Sequence, residues 1–438
     1  MEKLSGVNVS GFIDGEFGLG EGVRATIRAL ETQDIPIAVN NLNIETVHAQ
    51  GDKSVRGYSP ENPFPINIIH LNGDLLLDHQ TARGAHYLKD KYNIGYWAWE
   101  LPEFPSEWKA ALYTLDEIWT PSNFCVESFS PKSPVPILKM PHSIKVPETS
   151  LTRRRLGLPD RKFIFLFMFD FWSVTERKNP LGLIEAFTQA FGHNEDVLLC
   201  MKSINGASHP KEFAELRSLA EPYNNIKLVD GVWERDDVWG LIRNSDCYVS
   251  LHRAEGFGLS MAESMYCGKP VIATGYSGNS EYMNVNNSYP VRYHLETLSH
   301  DCGHYKKGDT WAVPDLSHAA DQMRRVFSNP DESKQIGGRA AQDMRTFFDV
   351  EIVGSRMRKR LEYINYLCGG FEEVKAESDK FKQYVQNEIQ IDNQLDMIHR
   401  LQRRIQMMEE SRFWKIRNQW FKLKKLRLIS KKLLRLDT

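Results

Sequence analysis

Short apolar segments alternate with helical patterns over the first 300 residues, and this alternation most limits how the chain can fold. Several segments are apolar throughout, as expected for strands buried on both faces of a parallel sheet. Because amphipathic helical patterns lie between them, the order predicts βαβ units and an open α/β sheet. The predicted strands are VNVSGFI (7–13), PIAVNN (36–41), INIIHL (66–71), NIGYWAW (93–99), EIWTPS (117–122), PILKMP (136–141), FIFLFMFD (163–170), VLLCMK (197–202), IKLVDG (226–231), CYVSLH (247–252) and PVIATG (270–275).

This alternation breaks between residues 143 and 159, where prolines and three consecutive arginines indicate a linker that ends in a short helix. It then restarts, which predicts two Rossmann-like halves with a ligand cleft between them, at the carboxyl ends of their strands. We therefore expect domains at 1–145 and 155–330, then helices at 331–367 that pack back on the body, and a helical extension at 371–438.

The sequence also restricts where the protein works. No apolar run reaches the roughly 18 residues that span a bilayer, and the N-terminus has no apolar signal segment. The six cysteines are scattered without a CxxC pair, which favours reduced thiols, a cytosolic location and no zinc site.

The net charge of −2 hides a basic tail on an acidic body. Residues 412–438 contain ten Lys or Arg and one Asp, with Phe, Trp and Leu interleaved. This pattern favours a helix on an anionic membrane surface through residues 412–436, with oligomer packing as the alternative. Nucleic acid is disfavoured as a partner because the acidic body would oppose it. Residues 371–410 carry an apolar seam, which predicts either a coiled coil between copies of the chain or a helix docked on the body.

The stretch HRAEGFGLSMAES (252–264) places Glu255 and Glu263 around a glycine turn. The turn follows a predicted strand and opens a helix, whose free N–H groups are a natural seat for a diphosphate. A carboxylate on each side suits hydroxyls that flank this anion, since carboxylates accept hydrogen bonds from hydroxyls. Such a ligand is a nucleotide sugar. On its own the stretch could also be an ordinary loop and helix with two surface glutamates.

The wider segment, EGFGLSMAE followed by GKPVIATGYSGNSEYM, resembles the donor site of retaining glycosyltransferase family 4. Glu255 and Glu263 meet the E-x7-E pattern of this family, and WAVPD (311–315) fits one of its later loops. The resemblance covers about residues 5–365. It implies the α/β fold called GT-B, in which two Rossmann-like domains face a central cleft, with a C-terminal helical extension outside it.

The resemblance assigns roles on the donor side. Glu255 would touch the donor sugar near the reacting centre, and Glu263 would hold the ribose hydroxyls. In the segment TERKNPLGLIEAF, Lys178 matches a family lysine and Arg177 stands in for a family arginine, so both cations would neutralise the leaving diphosphate, although a solvated helix cap is the alternative. The remaining implied contacts are Gly256, Phe257, Gly258 and Leu259 near the sugar and phosphates, and Val232 and Trp233 beside the base.

The acceptor side matches the family less well. Gly18 and Gly20 of GEFGLGEGVR open a helix and would face phosphate or acceptor, and their spacing does not fit a dinucleotide-binding motif. His70 resembles a family histidine near the acceptor. Glu100 follows a strand where the family often has His-Asp, which leaves the acceptor-side base open. The tryptophans beside Glu100 are either a sugar-stacking surface or core.

The resemblance implies a retaining hexosyltransferase in surface polysaccharide synthesis, with mannose as one candidate sugar and a glycan or lipid-linked acceptor. It would be cytoplasmic and peripheral on the inner face of a membrane. No D-x-D motif occurs, so we expect no metal and no cofactor besides the donor substrate. Two alternatives stay open: a GT-B phosphorylase or hydrolase, and a non-catalytic scaffold or sensor that binds a nucleotide sugar.

Overall fold

The computed structural model describes residues 4–42, 48–76 and 84–368, and two parallel sheets dominate them. Each sheet has six strands, in the order β2-β1-β3-β4-β5-β6 and β12-β11-β10-β7-β8-β9. The α/β expectation is confirmed, and every predicted strand is present. The strands are β1 (Val7–Gly11), β2 (Ile37–Asn41), β3 (Ile66–His70), β4 (Tyr92–Tyr96), β5 (Glu117–Thr120), β6 (Ile137–Lys139), β7 (Phe163–Asp170), β8 (Val197–Ile204), β9 (Ile226–Asp230), β10 (Cys247–Ser250), β11 (Val271–Thr274) and β12 (Tyr289–Val291).

Helices follow most of the strands, as expected for parallel sheets, whose successive strands need crossover connections. In each half, apolar side chains from the helices pack with the buried strands. The helices are α1 (Gly18–Glu31), α2 (Lys109–Leu112), α3 (Asn123–Phe129), α4 (Thr175–Lys178), α5 (Pro180–Phe191), α6 (Pro210–Ala220), α7 (Arg235–Asn244), α8 (Leu259–Tyr266), α9 (Leu316–Ser328), α10 (Pro330–Phe347) and α11 (Val350–Cys368).

An antiparallel hairpin of β13 (Tyr293–Thr297) and β14 (Thr310–Pro314) projects from the second half, and we call residues 293–314 the arm. The sequence did not predict these strands, because β13 is exposed along its whole length and carries no buried face. The loop between the strands buries Tyr305 in the aromatic core of the first half, against Trp99. The arm therefore ties the two halves together beside the cleft.

The chain also returns to the first half at α11. This helix packs on α1, where apolar residues of both helices share one core. A Cβ atom at Gly354 would lie 2.2 Å from the carbonyl oxygen of Ala29, so glycine permits the close approach. The first half therefore includes a helix that is more than 200 residues away in sequence from its sheet.

An ion pair anchors α11, and we expect its loss to destabilise the fold. Glu117 is fully buried in β5 and binds the guanidinium of Arg360, with Nε 3.1 Å from Oε1. Arg360→Met leaves the buried carboxylate of Glu117 without its cation and should lower the free energy of unfolding by about 3 kcal/mol. Arg358→Met is the matched control, because Arg358 is 50% exposed and its partner Glu362 lies on the same helix, so the loss of this pair should cost less than about 0.5 kcal/mol. Equal thermal midpoints for the two variants would contradict this account.

Among the described residues, no helix is both long and apolar enough to cross a bilayer. The cysteines at 125, 200, 247, 267 and 302 are free thiols. The expectations for residues 371–410 and 412–436 fall outside the described residues.

Candidate active site

A cleft of about 1080 Å³ lies at the carboxyl ends of both parallel sheets, and residues from both halves line it. This is the edge at which open α/β sheets bind their ligands. Two predicted site residues, His70 and Gly20, are not among the described residues that line the cleft. Those that do line it are Glu255, Arg177, Lys178, Glu100, Glu263, Gly256, Phe257, Gly258, Leu259, Gly18, Val232 and Trp233.

The predicted glycine turn joins β10 to α8. Gly258 has a φ of 88°, in the left-handed region that favours glycine. The carbonyl oxygen of Gly256 accepts a hydrogen bond of 2.8 Å from Ser122 Oγ of the other half, and Ser277 Oγ accepts one of 2.8 Å from the N–H of Glu255. Among the described residues, no side chain caps the first turn of α8. The turn is thus held from both sides, and the helix start can receive an anion.

Glu255 lies against two cations at the floor of the cleft. Lys178 Nζ contacts Glu255 Oε1, and Arg177 Nη1 lies 3.5 Å from the same oxygen. Burial alone would raise the pKa of Glu255, but the charges of Lys178 and Arg177 hold it at about 2. Glu255 is therefore a carboxylate at neutral pH.

Arg177 is more deeply buried than the sequence suggested, with 4% of its surface exposed. Its Nη1 donates to the carbonyl oxygen of Ala254 at 2.9 Å, and its Nε donates to that of Ser173 at 3.1 Å. Its Nη2 lies 3.7 Å from Glu100 Oε1. Arg177 therefore links Glu100 of the first half to Glu255 of the second half, and Lys178 is the more accessible cation.

Glu263 also binds a cation, and sequence reasoning missed its partners. Arg235, at the start of α7, contacts Glu263 Oε1, and Trp239 Nε1 lies 3.4 Å from the same oxygen. The guanidinium of Arg235 also lies 3.5 Å from Glu21 of the first half. Burial would raise the pKa of Glu21, but Arg235 and two arginines on α1 hold it below its usual range. An ion network thus crosses the cleft beside Glu263.

Gly20 and His70 serve the fold. A Cβ atom at Gly20 would lie 2.1 Å from the carbonyl oxygen of Gly15, so Gly20 permits a tight turn before α1. His70 ends β3, and its ring stacks on Tyr96 with 4.2 Å between centroids. Burial lowers the pKa of His70 well below its usual value, so the ring is a neutral core side chain. The expected acceptor role of His70 therefore finds no support in its position.

The arm also contributes to the wall of the cleft. His304 of the arm lines the cleft, with its ring centroid 5.7 Å from that of Trp99 and 4.1 Å from that of Tyr305. Trp99 is mostly buried and donates from Nε1 to the carbonyl oxygen of Glu103 at 2.7 Å. The tryptophan is therefore mainly core. No local pattern predicted a position in the cleft for His304, because about 200 residues separate it from Trp99.

On the other side of Glu263, the loop after β9 carries Val232 and Trp233. Val232 is 48% exposed and lines the cleft. A buried lysine, Lys202, lies behind this loop and also lines the cleft. The arrangement offers apolar surface and one cation.

Part of the chain is similar in sequence to known proteins. Residues 149–301 match the family described as glycosyl transferases group 1. A trehalose synthase of Pyrococcus horikoshii is 27% identical over 157 residues, which are 35% of this chain and 32% of that protein. A D-inositol 3-phosphate glycosyltransferase of Salinispora arenicola is 29% identical over 136 residues, 30% of each chain. The chain thus spans about a third of the length of these relatives.

Solved structures identify the fold class as GT-B. HepE of Anabaena, in a crystal structure with UDP and glucose, superposes with a TM-score of 0.59 at 13% identity. The match covers 82% of this chain and all of HepE. At such low identity the likeness concerns the fold, and it extends over both six-stranded sheets, which confirms the expected GT-B architecture.

Proposed function

We propose that this protein is a retaining glycosyltransferase that transfers a hexose, for which mannose is one candidate, from a nucleoside diphosphate sugar. The observation that carries the proposal is the contact between ionised Glu255 and Lys178 beside the uncapped start of α8, with Glu263 on that helix. The group 1 family match over residues 149–301 and the presence of UDP in the HepE complex support a nucleotide-sugar donor.

The donor would lie along α8. Its diphosphate would meet the N–H groups at the start of the helix and the ammonium of Lys178, which together would stabilise the charge that develops on the leaving group. Its ribose would meet Glu263. Arg235 and Trp239 both reach Oε1 of Glu263 in the contacts that the structure describes, so Oε2 is the atom that a ribose hydroxyl would bind.

Glu255 would act on the sugar. Glycosyl transfer passes through a transition state with oxocarbenium character, and a fixed carboxylate lowers the energy of that positive charge. Two cations keep Glu255 ionised, so no proton has to leave it at neutral pH. Retention of configuration at the anomeric carbon belongs to this proposal.

The acceptor would be a glycan or a lipid-linked glycan in surface polysaccharide synthesis. It would enter between Glu100 of the first half and His304 of the arm, both of which line the cleft. We place the enzyme in the cytoplasm, with residues 412–436 on an anionic membrane surface and residues 371–410 as a candidate segment for self-association.

Turnover tests the proposal against its two alternatives. We would incubate the protein with UDP-glucose or GDP-mannose and follow the anomeric protons by NMR, with and without an oligosaccharide acceptor. We expect release of the nucleoside diphosphate that the acceptor accelerates, and a product with the donor's α configuration. Turnover that depends on inorganic phosphate or water alone would favour the phosphorylase or hydrolase. Binding without turnover would favour the scaffold or sensor.

A further inference from the structure

Lys202 is a buried cation in the wall of the cleft. It lies near the end of β8, with 4% of its surface exposed, and it lines the cleft. Lysine is almost never this deeply buried without a compensating partner. The groups around Lys202 therefore determine which ligand atoms it can contact in the cleft.

The Lys202 ammonium is fixed by backbone oxygens. Nζ donates to the carbonyl oxygen of Ser203 at 2.9 Å and to that of Gly231. It also lies 5.4 Å from the centroid of a Trp233 ring. An ammonium group has three N–H donors, so these contacts in the described part of the chain leave one donor for a ligand. Burial lowers the pKa of Lys202 to about 8, and the group is still mostly charged at pH 7.

The loop that Lys202 holds also leads to the ribose site. Gly231 starts this loop, and Arg235 at its end contacts Glu263. A nucleotide with its diphosphate at the start of α8 and its ribose at Glu263 would extend its base along this loop. The base edge would then face Lys202 and the exposed side chain of Val232.

We propose that Lys202 makes the donor site selective for a keto base, uracil or guanine, over an amino base, cytosine or adenine. This inference rests on the proposed function. Uracil presents O4 and guanine presents O6, which accept a hydrogen bond, whereas cytosine and adenine present an amino group at the same positions. An ammonium can only donate, so an amino group opposite Lys202 leaves two buried donors without an acceptor.

Matched pairs of nucleotides test the selection, because each pair differs mainly at this one group. We would titrate the full-length protein at pH 7 with UDP and CDP, and with IDP and ADP, by calorimetry. If a pair binds, we expect its keto member to bind about tenfold or more tightly than its amino member. Equal affinities within about twofold, or a preference for the amino member, would overturn the inference.

Two variants test whether the selectivity depends on Lys202 or on other residues of the site. Lys202→Met keeps the apolar stem, removes the donor and should bring the UDP to CDP ratio close to one. Lys227→Met is the control, because Lys227 on β9 also donates to a backbone oxygen, that of Gly157, and is not among the described residues that line the cleft. If Lys202→Met does not fold, the ratios of the wild-type protein decide. If neither these four nucleotides nor GDP binds, the proposed function fails and this inference fails with it, whereas binding without preference overturns this inference alone.

Discussion

Replacing Glu255 by Gln is expected to lower kcat for sugar transfer by about 100- to 1000-fold while the Kd of the nucleoside diphosphate changes little. Gln has nearly the same size and keeps an acceptor oxygen, but it lacks the negative charge that Lys178 and Arg177 hold in place. The lost charge matters most where positive charge develops, which is in the transition state. Initial rates at saturating donor and calorimetric titration with the nucleoside diphosphate provide the two measurements.

Glu176→Gln is the control for this loss. Glu176 precedes Arg177 on α4, is exposed, and is not among the described residues that line the cleft. Its replacement should change kcat by less than about twofold. A Glu255→Gln variant with normal kcat, or with a nucleotide affinity that falls as far as kcat does, would contradict the role given to Glu255.

Lys178→Met is expected to lower kcat/KM by about 100- to 1000-fold. The variant removes the accessible cation beside the start of α8, so the charge on the departing diphosphate is less well stabilised. Binding of the nucleoside diphosphate should weaken as well, because Lys178 would interact with phosphate in the ground state. Lys211→Met, on the exposed start of α6, is the control and should retain full activity.

The same Lys178→Met variant should also change the pH dependence of the reaction. In the wild-type protein the pKa of Glu255 is about 2, so this carboxyl stays ionised throughout the working range. Burial raises that pKa and Lys178 contributes the largest opposing charge, so the pKa must rise in the variant. We expect the remaining activity of the variant to fall as pH is lowered from about 8 to 5. Its pH–activity profile should therefore have an acidic limb that the wild-type profile lacks. Parallel profiles would contradict the electrostatic coupling.

Local patterns predicted strands β1 to β11 and the glycine turn after β10. Both depend on short-range features, namely apolar runs for buried strands and a glycine turn that opens a helix. The turn carries Glu255 and Glu263 into the cleft because strand, loop and helix follow one another in 20 residues. The position of Lys178 in the cleft was predicted from a similar local pattern after β7.

The partners of these residues could not be predicted, because they come from distant parts of the chain. Arg235 contacts Glu21, from which it is separated by about 210 residues, and no local pattern around either residue predicts this contact. His304 reaches the cleft only because the arm packs into the core of the other half. The orientation of His70 was not predictable either, since a strand-end histidine can turn into the core as easily as into the cleft.

In the proposed donor complex, Glu263 and Lys178 both bind the nucleoside diphosphate. A calorimetric titration of UDP and GDP into the wild-type protein and into Glu263→Ala and Lys178→Met tests both contacts. We expect one saturable site for at least one nucleotide, and an affinity about tenfold or more weaker in each variant, since each loses hydrogen bonds to a charged group. Saturable binding that is equally tight in all three proteins, or no binding of either nucleotide, would contradict this expectation.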